Sequence, residues 1–285
     1  MELERVMDAL DKNIICEHKY DDFGGDFFHN HDGFELFLFI SGFVNYYVEQ
    51  QGRHMSPGTL ICIKPYDFHR RELVRPGCYE RIIINIRNSV MSSLSSDLTA
   101  LSTCFYRQPD GCINLMHLKE EEMEEYIYLS HKLNKELNSK EFGGDILAES
   151  YLKQILVLVN RLTGNRRELP ENIMPRLVKD VMIYVELHLT EDISLSLLAG
   201  ELHHNGTYIS RRFKEITGLS LQQYIIKKRI TLSKNYLNEG YSPLEACFSS
   251  GFNDYSNFYR TFTKQVGLSP KKYQLNTMLP GTLPQ

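Results

Sequence analysis

Near the C-terminus of the 285-residue chain, one short pattern is written twice. The first copy is Ile209-x-Arg211-x-Phe213-x4-Gly218-Leu219-Ser220. The second is Phe258-x-Arg260-x-Phe262-x4-Gly267-Leu268-Ser269, with every matched position 49 residues further on. The apolar pair in each copy is four residues apart, so both side chains fall on one helical face. The arginine between them falls on another. The glycine stands where a helix should stop, because glycine adopts the left-handed cap without a Cβ penalty. Each copy predicts a short helix with a buried stripe and an outward arginine. Two such helices point to two surfaces that meet something outside the chain.

The preceding residues sharpen this. Leu195-Ser196-Leu197-Leu198-Ala199 and a polar turn lead into Asn205, and Pro243-Leu244-Glu245-Ala246-Cys247 and Gly251-Phe252-Asn253 lead into Asp254. Asn205 and Asp254 are good N-caps. Ala199 and Cys247 are small enough for a second helix to cross closely. Helix, tight turn and capped second helix is the helix-turn-helix plan, whose second helix enters the DNA major groove. A helical module that merely duplicates its packing would repeat only the buried faces; here the outward faces repeat as well.

Residues 175–275 resemble the DNA-binding domain of the AraC/XylS family of transcription regulators. The matching elements are Leu198-Ala199, Tyr208-Ile209-Ser210-Arg211-Arg212-Phe213-Lys214, Gly218, Arg229-Ile230, Gly251-Phe252, Ser256-x-Phe258-x-Arg260-x-Phe262 and Gly267-Leu268-Ser269-Pro270-x-x-Tyr273. Departures are Asn205 for the usual Ser, Cys247 for the usual Ala, and Gln274 where Arg is common, which removes one possible phosphate contact. The resemblance implies a small polar effector such as a carbohydrate, activation rather than repression, and RNA polymerase as a partner.

Net charge over the chain is −4. Residues 175–285 hold 13 Lys and Arg against 9 Asp and Glu, whereas residues 1–174 hold 19 against 27. This segregation is expected when one part alone meets phosphate. The six cysteines form no C-x-x-C pair and read as buried reduced thiols. Met1-Glu2-Leu3-Glu4-Arg5 is no signal-peptide start, and no apolar run reaches a membrane span, so a cytoplasmic protein without membrane association is expected.

The fold class expected is α+β. Short apolar runs at 36–40, 44–48, 59–63 and 81–86 predict strands of a cupin-like β-barrel. Residues 117–138 and 143–163 change to helical period, with Met123, Ile127, Leu133 and Leu137 on one stripe and Leu152, Ile155, Leu156 and Val159 on another. One helical face covers the barrel and the other is expected to form a homodimer seam through 117–163. The expected division is a sensing and dimerisation domain at 1–163, a linker at 164–174, the double helix-turn-helix domain at 175–275 and a tail at 276–285.

Within the barrel, His29-x-His31-x3-Glu35-x6-Gly42 and Pro65-x3-His69 resemble the cupin motif pair, in which histidines and a glutamate can bind one divalent metal. Asp67 stands where the second motif usually has Gly, and the same pattern often accompanies no metal in sensor domains of this family. A metal-free pocket without a cofactor is expected, with His29, His31, Glu35, His69, Tyr46 and Phe28 as effector-binding residues. The alternative is a metal-dependent cupin enzyme fused to a DNA-binding module. Phe23, Phe27, Phe34, Tyr66 and Phe68 complete an aromatic set that can stack on sugars or simply fill the core.

For double-stranded promoter DNA, the expected contacts are Thr207, Ser210, Arg211, Tyr255, Ser256, Tyr259 and Arg260, with Lys271 and Lys272 along a phosphate strand. Arg211 and Arg260 are the foremost base readers, because Arg bidentate to guanine is the commonest specific contact. A phosphate contact or an ion pair within the protein is the rival for each. Arg229 is expected to be structural. The segment 221–237 predicts a connector helix of about 27 Å, against about 34 Å for a turn of DNA.

Overall fold

The computed structural model describes residues 7–8, 13–21, 27–75, 77–106, 108, 113–162 and 171–278. Phe23, Cys112, the expected linker residues 164–170 and the tail residues 279–285 lie outside these. The chain divides into two compact units, one spanning Asp8–Met174 and one formed mainly by Pro175–Gln285.

The strands are β1 (Met7–Asp8), β2 (Ile14–Asp21), β3 (Asn30–His31), β4 (Gly33–Ser41), β5 (Val44–Val48), β6 (Gln51–His54), β7 (Thr59–Ile63), β8 (His69–Leu73), β9 (Tyr79–Arg87) and β10 (Asn114–His117), and those from β2 onward build the first unit. A five-stranded antiparallel sheet has the order β10-β7-β4-β9-β2, and a three-stranded one has the order β6-β5-β8. Between β9 and β10 lie helix α1 (Asn88–Leu94) and a 3-10 turn at Leu101–Phe105.

Central strand β4 explains the continuous apolar run. Phe34, Leu36 and Leu38 point one way, into a core shared with helices α2 (Glu120–Leu137) and α3 (Gly144–Leu162). Phe37 and Phe39 point the other way, onto Tyr46 and Val48 of β5. A strand covered on both faces shows no alternation in sequence. On α3, Leu152, Ile155, Leu156 and Val159 are fully buried against the sheet. Three glutamates at the start of α2 complement its dipole, and Glu122 returns a bond to the Lys119 amide at 2.8 Å.

The end of the expected linker is packed rather than loose. Asn172 Oδ1 accepts from Gly52 N at 2.8 Å and from Met174 N at 3.0 Å, and Ile173 N donates to Gly52 O.

The second unit is helical: α4 (Arg176–Leu187), α5 (Leu195–Glu201), α6 (Gly206–Thr217), α7 (Leu221–Asn238), α8 (Pro243–Ser249), α9 (Tyr255–Val266) and α10 (Pro270–Met278). Two helix-turn-helix motifs, α5–α6 and α8–α9, are joined by α7. Mixed strands and helices make the chain α+β, as the periodicity predicts.

Candidate nucleic-acid interface and barrel site

Helices α6 and α9 are made alike. Asn205 Oδ1 accepts from the Thr207 and Tyr208 amides at 2.9 and 3.3 Å, and Asp254 Oδ1 accepts from the Asn257 amide at 2.6 Å. Both helices end on left-handed glycines, Gly218 at φ 72° and Gly267 at φ 79°. Ile209, Phe213, Phe258 and Phe262 are completely buried. Of the expected contacts, Thr207, Arg211, Ser256, Tyr259, Arg260, Lys271 and Lys272 are exposed, and Ser210 and Tyr255 are half-buried.

The two faces differ in their charge partners. Glu215 is paired with both arginines of α6, with Oε1 3.7 Å from Arg211 Nε and Oε2 2.8 Å from Arg212 Nη1. The Arg211 guanidinium also lies 5.9 Å from the Tyr208 ring. Among the described residues Arg260 makes no ion pair. Sequence reading missed Glu215, although its four-residue spacing from Arg211 is a helix-pair signal.

Two further positions resolve differently from a DNA contact. Arg229 donates from Nε to Leu189 O at 2.8 Å and from Nη2 to Glu191 O at 2.6 Å, a structural role as expected. Gln274 is buried and donates to Leu237 O and Tyr241 O at 3.2 and 2.7 Å. It closes the end of α7, so the position points inward rather than toward phosphate.

In the barrel, His31, Glu35, His69 and Tyr46 converge and each is 5% exposed or less. Glu35 Oε2 lies 2.9 Å from His31 Nε2 and 3.7 Å from His69 Nε2, and Oε1 accepts from the Tyr46 hydroxyl at 3.2 Å. His31 Nδ1 and His69 Nδ1 face the carbonyls of Gly33 and Asp67 at 3.0 and 2.9 Å. Burial alone would raise the Glu35 carboxyl, but the imidazoles of His69 and His31 outweigh it and hold it at about 2. Burial pulls His31 down, yet its bond to Glu35 wins and raises it. Burial and neighbouring His29 push His69 down to about 3. Two cations so close would repel, so the positive charge is favoured on His31, whose ring nitrogens face Gly33 O and Glu35, over His69. His69 is then neutral, its Nδ1–H on Asp67 O and its Nε2 lone pair toward Glu35.

That Nε2 atom is buried with no hydrogen-bond partner, as is Asn85 Oδ1. Asn85 lies opposite Glu35 in the β4–β9 register and so on the same face. His29 pairs its backbone with His69, and its ring lies 4.4 Å from the His69 ring, tilted by 59°. Phe28 is not part of the constellation. It packs 6.4 Å from Tyr47, which points to the opposite face of β5 from Tyr46. Phe34 likewise faces Phe105 in the helix-side core. The aromatic set therefore does not form one ring.

The donor set suits a divalent ion. Ligand atoms of His31, Glu35 and His69 lie within 4.8 Å of one another, and both histidines are anchored through Nδ1 on backbone carbonyls. His29 does not belong to that set.

Residues 17–156 match the AraC-like ligand binding domain and residues 198–276 match a helix-turn-helix domain. The chain belongs to the AraC family. Relatives of this AraC-family chain include an uncharacterized HTH-type transcriptional regulator of Bacillus subtilis, YobQ, 36% identical over 33% of this chain and 39% of that protein. Another, from Staphylococcus aureus, SAS0078, is 23% identical over 85% of this chain and 31% of that protein. The chain thus spans about a third of the length of the curated relatives it matches. Among solved structures, ToxT from Vibrio cholerae is similar over 92% of this chain and 97% of that one, with 14% identity and a TM-score of 0.37. Among the described residues no helix is long and apolar enough to cross a membrane.

Proposed function

We propose that the chain is a sequence-specific transcription regulator rather than an enzyme, with α6 and α9 entering successive major grooves of promoter DNA. The observation that carries this is the duplication of a capped helix whose buried stripe and outward arginine both repeat. Thr207, Ser210 and Arg211 on α6 and Tyr255, Ser256, Tyr259 and Arg260 on α9 face the grooves, while Lys271 and Lys272 meet phosphate. The barrel binds a small effector through His31, Glu35, His69 and Tyr46, with His29 beside them. His69 Nε2 and Asn85 Oδ1 are buried acceptors lacking donors, which favours a ligand rich in hydroxyl groups, such as a carbohydrate. When bound there, a divalent ion would be held by His31, Glu35 and His69 and would polarise an oxygen-bearing ligand. Activation through RNA polymerase, a homodimer through 117–163 and a cytoplasmic location complete the reading.

Selection from a random duplex pool by the full chain tests it. Two fixed segments about 10 base pairs apart are expected. Enrichment of no sequence, or of one uninterrupted segment, contradicts the reading. Metal analysis of the purified chain, with thermal shifts against sugars and divalent ions, separates the two kinds of effector.

A further inference from the structure

A single helix joining two modules leaves each free to pivot at its end. In this chain the modules are tied a second time, away from the ends of α7. Arg229 stands at the middle of α7 and its guanidinium grips the carbonyls of Leu189 and Glu191, in the turn that leads from α4 into the first helix-turn-helix. The turn of the second motif reaches the same place. Asn253 Nδ2 donates to Asp192 Oδ1 at 3.1 Å. Gly251, at φ 88°, comes so close that an added Cβ would lie 2.8 Å from Thr190 Cα, 2.9 Å from Leu189 O and 3.0 Å from Arg229 Nε. The first motif has a one-residue-shorter turn and uses His203 at φ 52° in the corresponding left-handed position. The glycine is therefore demanded by the close approach and not by the backbone angle alone.

We propose that Arg229, Gly251 and Asn253 form a clamp on the 189–192 turn that fixes the separation and rotational phase of α6 and α9, so that the protein reads its two DNA segments at one spacing only. Arg229 is the principal positioning residue. Two carbonyls 40 and 38 residues away meet two nitrogens of one planar fork, which a flexible ammonium does not reproduce. The inference rests on the two-groove reading and adds a constraint that reading does not contain.

The test uses the full chain, its selected duplex, and duplexes with one base pair inserted or removed between the two segments. One base pair turns the far segment by about 35° and moves it about 3.4 Å. Wild-type protein is expected to lose at least about tenfold in affinity on either change. Arg229→Gln and Asn253→Ala should bind the native spacing more weakly and the altered spacings within about threefold of it. Arg229→Lys should fail to restore the discrimination. Thermal melting checks that each variant is folded, and should Arg229→Gln not fold, Asn253→Ala and Gly251→Ala probe the same clamp from the other side. Wild-type tolerance of the inserted base pair, or folded clamp variants that discriminate spacing as wild type does, would overturn the proposal. Base substitutions in each segment locate the failure. If one segment is indifferent to sequence, the two-groove reading falls and the clamp's role with it. If both are read but spacing is free, the clamp alone is wrong.

Discussion

At the scale of single residues, charge pairing separates the exposed faces of α6 and α9. Glu215 neutralises part of the α6 face by holding Arg211 and Arg212, whereas Arg260 on α9 stands without an ion pair among the described residues. Releasing the α6 arginines with Glu215→Gln should tighten binding to non-specific duplex by about twofold to fivefold, the scale of an exposed ion pair, and anisotropy at fixed salt measures it. Unchanged or weaker binding would mean that Glu215 does not restrain the arginines. The barrel site makes a prediction about pH. His69 is held neutral in the fold at about 3, below its usual 6.5. Below about 6.5 the unfolded chain takes up a proton that the folded chain refuses, so stability falls as pH drops from 6.5 toward 3. His31 works the other way, because its raised value favours the fold below its unfolded value and loses that benefit as pH rises. Removing His69 alone, as His69→Gln, should therefore flatten the loss of melting temperature between about pH 7 and 5. An equal slope in both proteins would place the proton elsewhere.

At the scale of elements, the helices of the second unit were the most legible part. Caps, stop glycines and apolar pairs are local signals, and Asn205, Asp254, Gly218 and Gly267 all stand where the sequence places them. Asn205→Ala and Asp254→Ala should each cost about 0.5–2 kcal/mol of stability in that unit, readable by denaturant unfolding. A loss of nothing in either would mean that the cap bond is not made. The barrel was legible only through its apolar strands. β2, β6, β8 and β10 carry sequences such as Gln51-Gly52-Arg53-His54 and His69-Arg70-Arg71-Glu72, whose polar side chains hide the strand from composition. Long-range pairing supplies what local preference lacks. The barrel site was half legible. The H-x-H-x3-E spacing located His31 and Glu35, but spacing cannot show that Tyr46 donates to Glu35, that Asn85 faces it from a neighbouring strand, or that Phe28 lies on the other face. Nor could sequence show that Gln274 turns inward and donates to the carbonyls of Leu237 and Tyr241 at the end of α7.

For the whole molecule, one chain carries both a closed polar site in a barrel and a duplicated helical reader. A groove beside α2 and α3, lined by Ile146, Val157, Leu158 and Arg161, lies in the segment proposed as the homodimer seam. Ile146→Glu should shift full-length protein toward monomer in sedimentation, and an unchanged assembly would remove that seam. The claim that decides the rest is that two arginines read two grooves. With the selected duplex and a panel of single-base variants, Arg211→Ala and Arg260→Ala should each weaken specific binding by about 1–3 kcal/mol and relax preference at different base pairs, about one helical turn apart. Relaxation at the same base pair by both substitutions, or by neither at any, would contradict the account.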